Sequence, residues 1–133
     1  MTEAQNLQMA ERYIACLSSG AAPEDLDAFF AVDFLQEEFP NRLLPNGATR
    51  DLRTMKEARV RGRALLKAEA FEVMNALATG DRVAMEVIWT GTVGVAAGPF
   101  VAGQELRARF AVFMDFRDGR IVRQRNLRLL RSW

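Results

Sequence analysis

The chain changes its hydrophobic period about halfway along, and that change constrains its fold more than any other feature. Through residues 69–78, 82–95, 104–117 and 120–130, apolar and polar side chains alternate as they do in strands. Thr79-Gly80-Asp81, a Gly/Ala/Pro-rich loop at 96–103, and Asp118-Gly119 separate them. Before residue 69 the period is mostly helical. Leu7, Ala10, Tyr13 or Ile14, and Leu17 share one face of residues 3–18, which Ser18-Ser19-Gly20 terminates. Pro23-Glu24-Asp25 opens a short second helix that turns Leu26, Phe29 and Phe30 inward. Thr49 or Asp51 caps a third, running to about Leu66 with a weaker stripe of Leu52, Met55, Ala58 or Arg59, Gly62 and Leu65. Between these helices, Asp33 to Phe39 reads as a short strand stopped by Pro40. The loop at 41–48 contains the Asn46-Gly47 turn, and its leucines fold back over something apolar. Three helices and then hairpin-linked strands predict one α+β domain over residues 1–133 with a mainly antiparallel sheet.

Composition removes whole classes of function. Half of the 133 residues are hydrophobic and a quarter charged, the balance of a folded globular chain. Eighteen basic and seventeen acidic side chains leave a net charge of +1, so no global field attracts nucleic acid or an anionic membrane. Two basic clusters stand out: Arg59, Arg61 and Arg63, and the C-terminal series Arg117, Arg120, Arg123, Arg125, Arg128 and Arg131. Neither has the interleaved aromatics of a base-stacking platform, so both read as solvated or ion-paired faces. Cys16 is the only cysteine, which rules out an intrachain disulfide and a thiolate metal cluster and suits a small core residue. With no basic-then-apolar N-terminal segment and no membrane-length run, the expectation is a cytoplasmic protein.

The chain has no histidine. Ser-His-Asp and Cys-His sites are therefore excluded, no metal site is expected, and acid–base chemistry falls to carboxylates, Lys56, Lys67, Tyr13 or Cys16. Gly91-Thr92-Val93-Gly94 lacks the length and the lysine of a phosphate loop, so no cofactor is expected.

The order of elements, together with Thr79-Gly80-Asp81-Arg82-Val83-Ala84-Met85-Glu86-Val87, Trp89-Thr90-Gly91-Thr92 and Phe116-Arg117-Asp118-Gly119-Arg120-Ile121-Val122, resembles the nuclear-transport-factor-two-like superfamily. Within it the chain is most similar to the SnoaL-like group. The resemblance implies a cone-shaped, curved, mainly antiparallel mixed sheet wrapped around three N-terminal helices. It also implies a pocket between the sheet and the helices, and a homodimer through the outer sheet face. Relatives include ketosteroid isomerase, polyketide cyclases and limonene epoxide hydrolase, alongside binding proteins without chemistry. The functions implied are cofactor-independent isomerisation, cyclisation or hydration of a small apolar ketone or epoxide. The alternatives are capture of a small carboxylate or apolar metabolite, and a dimeric accessory module.

Strand parity predicts which side chains meet that pocket. Leu106, Ala108, Phe110, Val112, Met114 and Phe116 share one face and must point inward. Arg107, Arg109 and Asp115 share the other, which faces solvent or a partner sheet. On the last strand both faces are mixed, and the residues alone leave the choice open. The resemblance implies an inward aspartate there, a position occupied by Asn126 in this chain. Gln124, Asn126 and Arg128 then turn inward, as do Glu86 and Ile88 from the strand before Trp89, and Gln36 and Glu38 from the first strand. Trp89, Phe110 and Met114 supply an apolar wall. Asn126 cannot take up a proton as aspartate does, and Arg128 stands where related sequences often carry an acid. Glu38, and after it Glu86, is the candidate proton carrier, unless an ion pair with Arg128, Arg42 or Arg82 silences it.

Overall fold

The structure, a computed structural model, describes residues 1–130; Arg131 of the basic series lies outside the described residues. Helix α1 spans Glu3–Ser18 and starts where Thr2 can cap it. The Thr2 hydroxyl accepts from the Gln5 N–H at 3.1 Å, and the Gln5 side chain accepts from the Thr2 N–H at 2.8 Å. Asn6, Ala10, Tyr13, Ile14 and Leu17 form the buried face. Asn6 takes the place predicted for Leu7, because residues 6, 10, 13, 14 and 17 align better along one helical stripe; Leu7 packs half-buried at its side. Cys16 packs against the core from a partly buried position.

Residues Pro23–Phe29 form a 3-10 helix that buries Leu26 and Phe29. The chain passes straight from it into β1, Phe30–Glu38, which begins three residues before the predicted start. Phe30 and Phe34 join the core, their rings 4.5 Å apart, and Phe30 meets the edge of Tyr13 at 5.3 Å. A four-residue strand, β2 (Ala48–Asp51), was not predicted; Ala-Thr-Arg-Asp has no alternating apolar signal, and only pairing with β1 makes it a strand. Gly47 allows the turn into it. Its φ is +66°, and a Cβ there would stand 2.6 Å from the carbonyl oxygen of Glu38.

Helix α2, Leu52–Leu65, is capped by Asp51, whose carboxylate accepts from the Thr54 N–H at 2.8 Å. Four long strands follow: β3 (Leu66–Thr79), β4 (Arg82–Val93), β5 (Glu105–Arg117) and β6 (Arg120–Leu130). The β5–β6 turn places Asp118 and Gly119 at φ 51° and 78°, as a two-residue hairpin turn of matching twist requires. The six strands form one sheet in the order β2-β1-β6-β5-β4-β3. Only β1 and β6 run parallel. The predicted α+β cone is thus the observed fold, with α1 across β3 and β4 and α2 against β1.

The inner face carries the core. Along β5, Leu106, Ala108, Phe110, Val112, Met114 and Phe116 are all buried, and β4 faces them with Val83, Met85, Val87 and Trp89. Each large side chain so placed stabilises the fold by about 1.5–3 kcal/mol. Among the described residues, no helix is long and apolar enough to cross a membrane.

Candidate functional site

Sheet and helices leave a cavity of about 330 Å³ between them. Eight of the residues predicted to meet there line it: Gln36 and Glu38 from β1, Trp89 from β4, Leu106 and Phe110 from β5, and Gln124, Asn126 and Arg128 from β6. Register explains the polar side of the wall. The parallel pairing sets Gln36 beside Gln124 and Glu38 beside Asn126, so equal steps along two strands bring four polar side chains to one face.

Those side chains form a directional chain. The Gln124 amide nitrogen donates to Asn126 Oδ1 at 3.2 Å, and Asn126 Nδ2 donates to Glu38 Oε2 at 3.2 Å. From the loop after β1, Asn41 Nδ2 donates to Glu38 Oε1 at 3.3 Å. Arg128 Nε stands 3.3 Å from the same oxygen without an aligned hydrogen bond, so the contact is one of charge. Its guanidinium also lies over the Phe110 ring, 5.5 Å from the centroid. Glu38 is only 4% exposed, and every group named around it is a donor, which matches the acceptor-only carboxylate. Of the charge partners considered from sequence, Arg128 makes the contact, whereas Arg82 pairs with Asp115 on the other face of the sheet.

Tyr13 reaches the cavity from α1. Burial pushes its hydroxyl up to about 12, partly offset by a hydrogen bond with Gln124 and by the charge of Arg59. The folded chain therefore holds this proton more tightly than the unfolded chain does. The resulting stability is complete below pH 10 and is lost as the pH rises toward 12, in total about 3 kcal/mol. Urea unfolding from about pH 9 upward is expected to show wild type losing stability more steeply than Tyr13→Phe. Parallel losses in the two proteins would contradict this assignment.

A second polar group lines the cavity that sequence reasoning missed. Glu69 on β3 pairs with Arg59 on α2 and accepts from the Trp89 indole N–H at 2.9 Å, while Arg59 also donates to the Leu17 carbonyl at 3.0 Å. The available signal was the alternation Glu69, Phe71 at the start of β3 and the place of Arg59 on the α2 stripe. Neither shows that helix and strand ends converge.

Two predicted site residues lie elsewhere. Glu86 is on the outer face of the sheet, ion-paired with Arg109 and 43% exposed at its side chain. Val83, Met85, Val87 and Trp89 point inward, so the alternation of β4 sends Glu86 and Ile88 outward. Glu86 and Trp89, three residues apart on an unbulged strand, cannot both face the cavity. Met114 has the predicted inward parity but is fully enclosed among core side chains and does not reach the cavity wall. Arg109 and Asp115 make their ion pairs within this chain, with Glu86 and Arg82. Among the described residues, no three His, Cys, Asp or Glu side chains gather as a metal-ligand set.

Solved structures share this architecture. AclR of Streptomyces galilaeus, a proposed hydroxylase, superposes with a TM-score of 0.81 at 18% identity, over 98% of this chain and 82% of that one. IdmH of Streptomyces antibioticus, a proposed polyketide cyclase, gives 0.79 at 22% identity, over 93% and 91%. An epoxide hydrolase of M. tuberculosis, described as LEH-like, gives 0.73 at 16% identity, over 96% and 84%. No match was found among curated proteins. At these identities the likeness shows the fold. The family model for the SnoaL-like domain matches residues 10–124, most of the chain, and on that ground the protein belongs to the SnoaL-like family.

Proposed function

We propose that the cavity binds a small apolar carbonyl compound and that Glu38 moves a proton on the carbon next to its carbonyl. The observation that carries this is a buried carboxylate on the wall of a mostly apolar cavity, with cationic Arg128 beside it on the sheet and neutral Tyr13 lining the same cavity from α1. The proton passes from carbon to Glu38, and the electrons of the broken C–H bond move onto the carbonyl oxygen. Negative charge leaves Glu38 as it appears on that oxygen. Arg128, held beside Glu38 by charge rather than by a fixed hydrogen bond, then serves as counter-ion to the enolate, and Tyr13 donates to it. Return of the proton to a different carbon gives isomerisation. Attack of the enolate carbon on a second carbonyl carbon of the same molecule, whose π electrons move onto its oxygen and whose oxygen takes the proton back from Glu38, gives cyclisation. Asn126 orients Glu38 in place of a second proton carrier.

The test needs no knowledge of the natural substrate. Small cyclic ketones in deuterated buffer are expected to exchange their α-hydrogens faster with the protein than without it, read by proton NMR. The Arg128–Glu38 contact also favours a second reading, in which the pair is structural and the cavity only binds its ligand. Tight binding of ketones without exchange supports that reading and removes the first.

We also propose a homodimer through the outer sheet face, where Leu77, Leu127 and Leu129 are 66%, 42% and 75% exposed. Light scattering is expected to give about twice the chain mass of 14.9 kDa. A monomer at micromolar concentration contradicts the dimer.

A further inference from the structure

Five charged side chains line the cavity: Glu38, Glu69, Arg50, Arg59 and Arg128. Two arginines already face carboxylates, Arg59 against Glu69 and Arg128 against Glu38. Arg50 does not. Its Nη1 donates to the amide oxygen of Gln36 at 3.0 Å, and it makes no ion pair among the described residues. The cavity wall therefore carries one positive charge beyond its two pairs, on a half-buried guanidinium whose hydrogen-bond partner is a neutral amide.

We propose that the ligand is an apolar molecule carrying one carboxylate, and that Arg50 binds that carboxylate. A guanidinium taken partly out of water and left without a counter-ion gains most from an anion, and its fork matches a carboxylate with two parallel hydrogen bonds. Arg128 is the poorer anchor, because its Nε already stands 3.3 Å from Glu38 Oε1 and an anion there meets the charge of Glu38 nearby. The sheet also sets a distance. Arg50 lies opposite Gln36, and Glu38 is two residues farther along the same face of β1, about 7 Å along the strand from Gln36. A carboxylate at Arg50 thus leaves the reacting carbon of a compact keto acid within reach of Glu38 and keeps the two negative charges apart.

This inference rests on the cavity being a ligand site, and a matched pair of probes separates the two claims. Naphthalene-2-carboxylate and methyl 2-naphthyl ketone have nearly the same shape and differ in charge. By titration calorimetry the carboxylate is expected to bind at least about tenfold more tightly than the ketone, an advantage that falls as salt is raised. Arg50→Met is expected to abolish that advantage while leaving ketone affinity within about twofold, and Arg50→Lys, which keeps charge without the fork, to restore part of it. Equal affinities in wild type overturn the proposal while the ketone still reports an intact ligand cavity. The same holds if the advantage survives in Arg50→Met, or is lost instead in Arg128→Met. If neither probe binds, the cavity reading fails and this inference fails with it.

Discussion

Replacing Glu38 with glutamine is expected to slow α-hydrogen exchange by about 10²–10⁴-fold, the usual contribution of a positioned proton carrier. The substitution keeps the size of the side chain and removes its ability to accept a proton from carbon. The fold is expected to survive, for a reason visible in the amide chain. Gln124 Oε1 is buried without a protein hydrogen-bond partner. If Gln124 and Asn126 both reverse their amides, the new amide nitrogen at position 38 can donate to Asn126 Oδ1, and Asn126 Nδ2 to Gln124 Oε1. Lost exchange with a cooperative thermal transition close to that of wild type supports Glu38 as the proton carrier. Undiminished exchange in the variant refutes it, and lost exchange through unfolding is recognised by the missing transition.

The largest expected effect on stability is at Phe34. It is 1% exposed, and its ring lies 4.5 Å from that of Phe30, which in turn meets Tyr13. Truncation to alanine removes a buried ring and leaves a cavity among aromatic neighbours that cannot all collapse into it. Phe34→Ala is expected to lose about 3–5 kcal/mol in urea unfolding, a large share of the roughly 5–15 kcal/mol that holds a domain of this size. A loss below about 1 kcal/mol would mean that these rings do not form the rigid base on which α1 and β1 meet.

Two kinds of information separate in this molecule. Hydrophobic period, caps and turn residues are local, and they suffice for α1, α2 and the four long strands. They also suffice for the inner face of β5, whose alternation from Leu106 to Phe116 is unbroken. Where an element has little local signal of its own, as in β2, only pairing creates it. The candidate site shows the same division. Parity confines Gln124, Asn126 and Arg128 to one face of β6, but both faces are mixed, so the resemblance to a family had to choose between them. On β4 that guidance placed Glu86 inward, and the alternation of Val83 to Trp89 overrides it.

What the sequence by itself determined is therefore the α+β order of elements and, on the regularly alternating β4 and β5, the sets of side chains that travel together, because a period of two or of 3.6 residues is written into neighbouring positions. On β6 a register shift after Ile121 puts Ile121 and Gln124 on the same buried face. Tertiary structure alone decided the charge balance of the cavity. Glu69 met Arg59 and Trp89 across a helix and two strands, Glu38 met Arg128 across β1 and β6, and Arg50 was left without an ion-pair partner among the described residues. Charges interact by distance through space, and residues far apart in the chain acquire that distance only when the sheet closes around the helices.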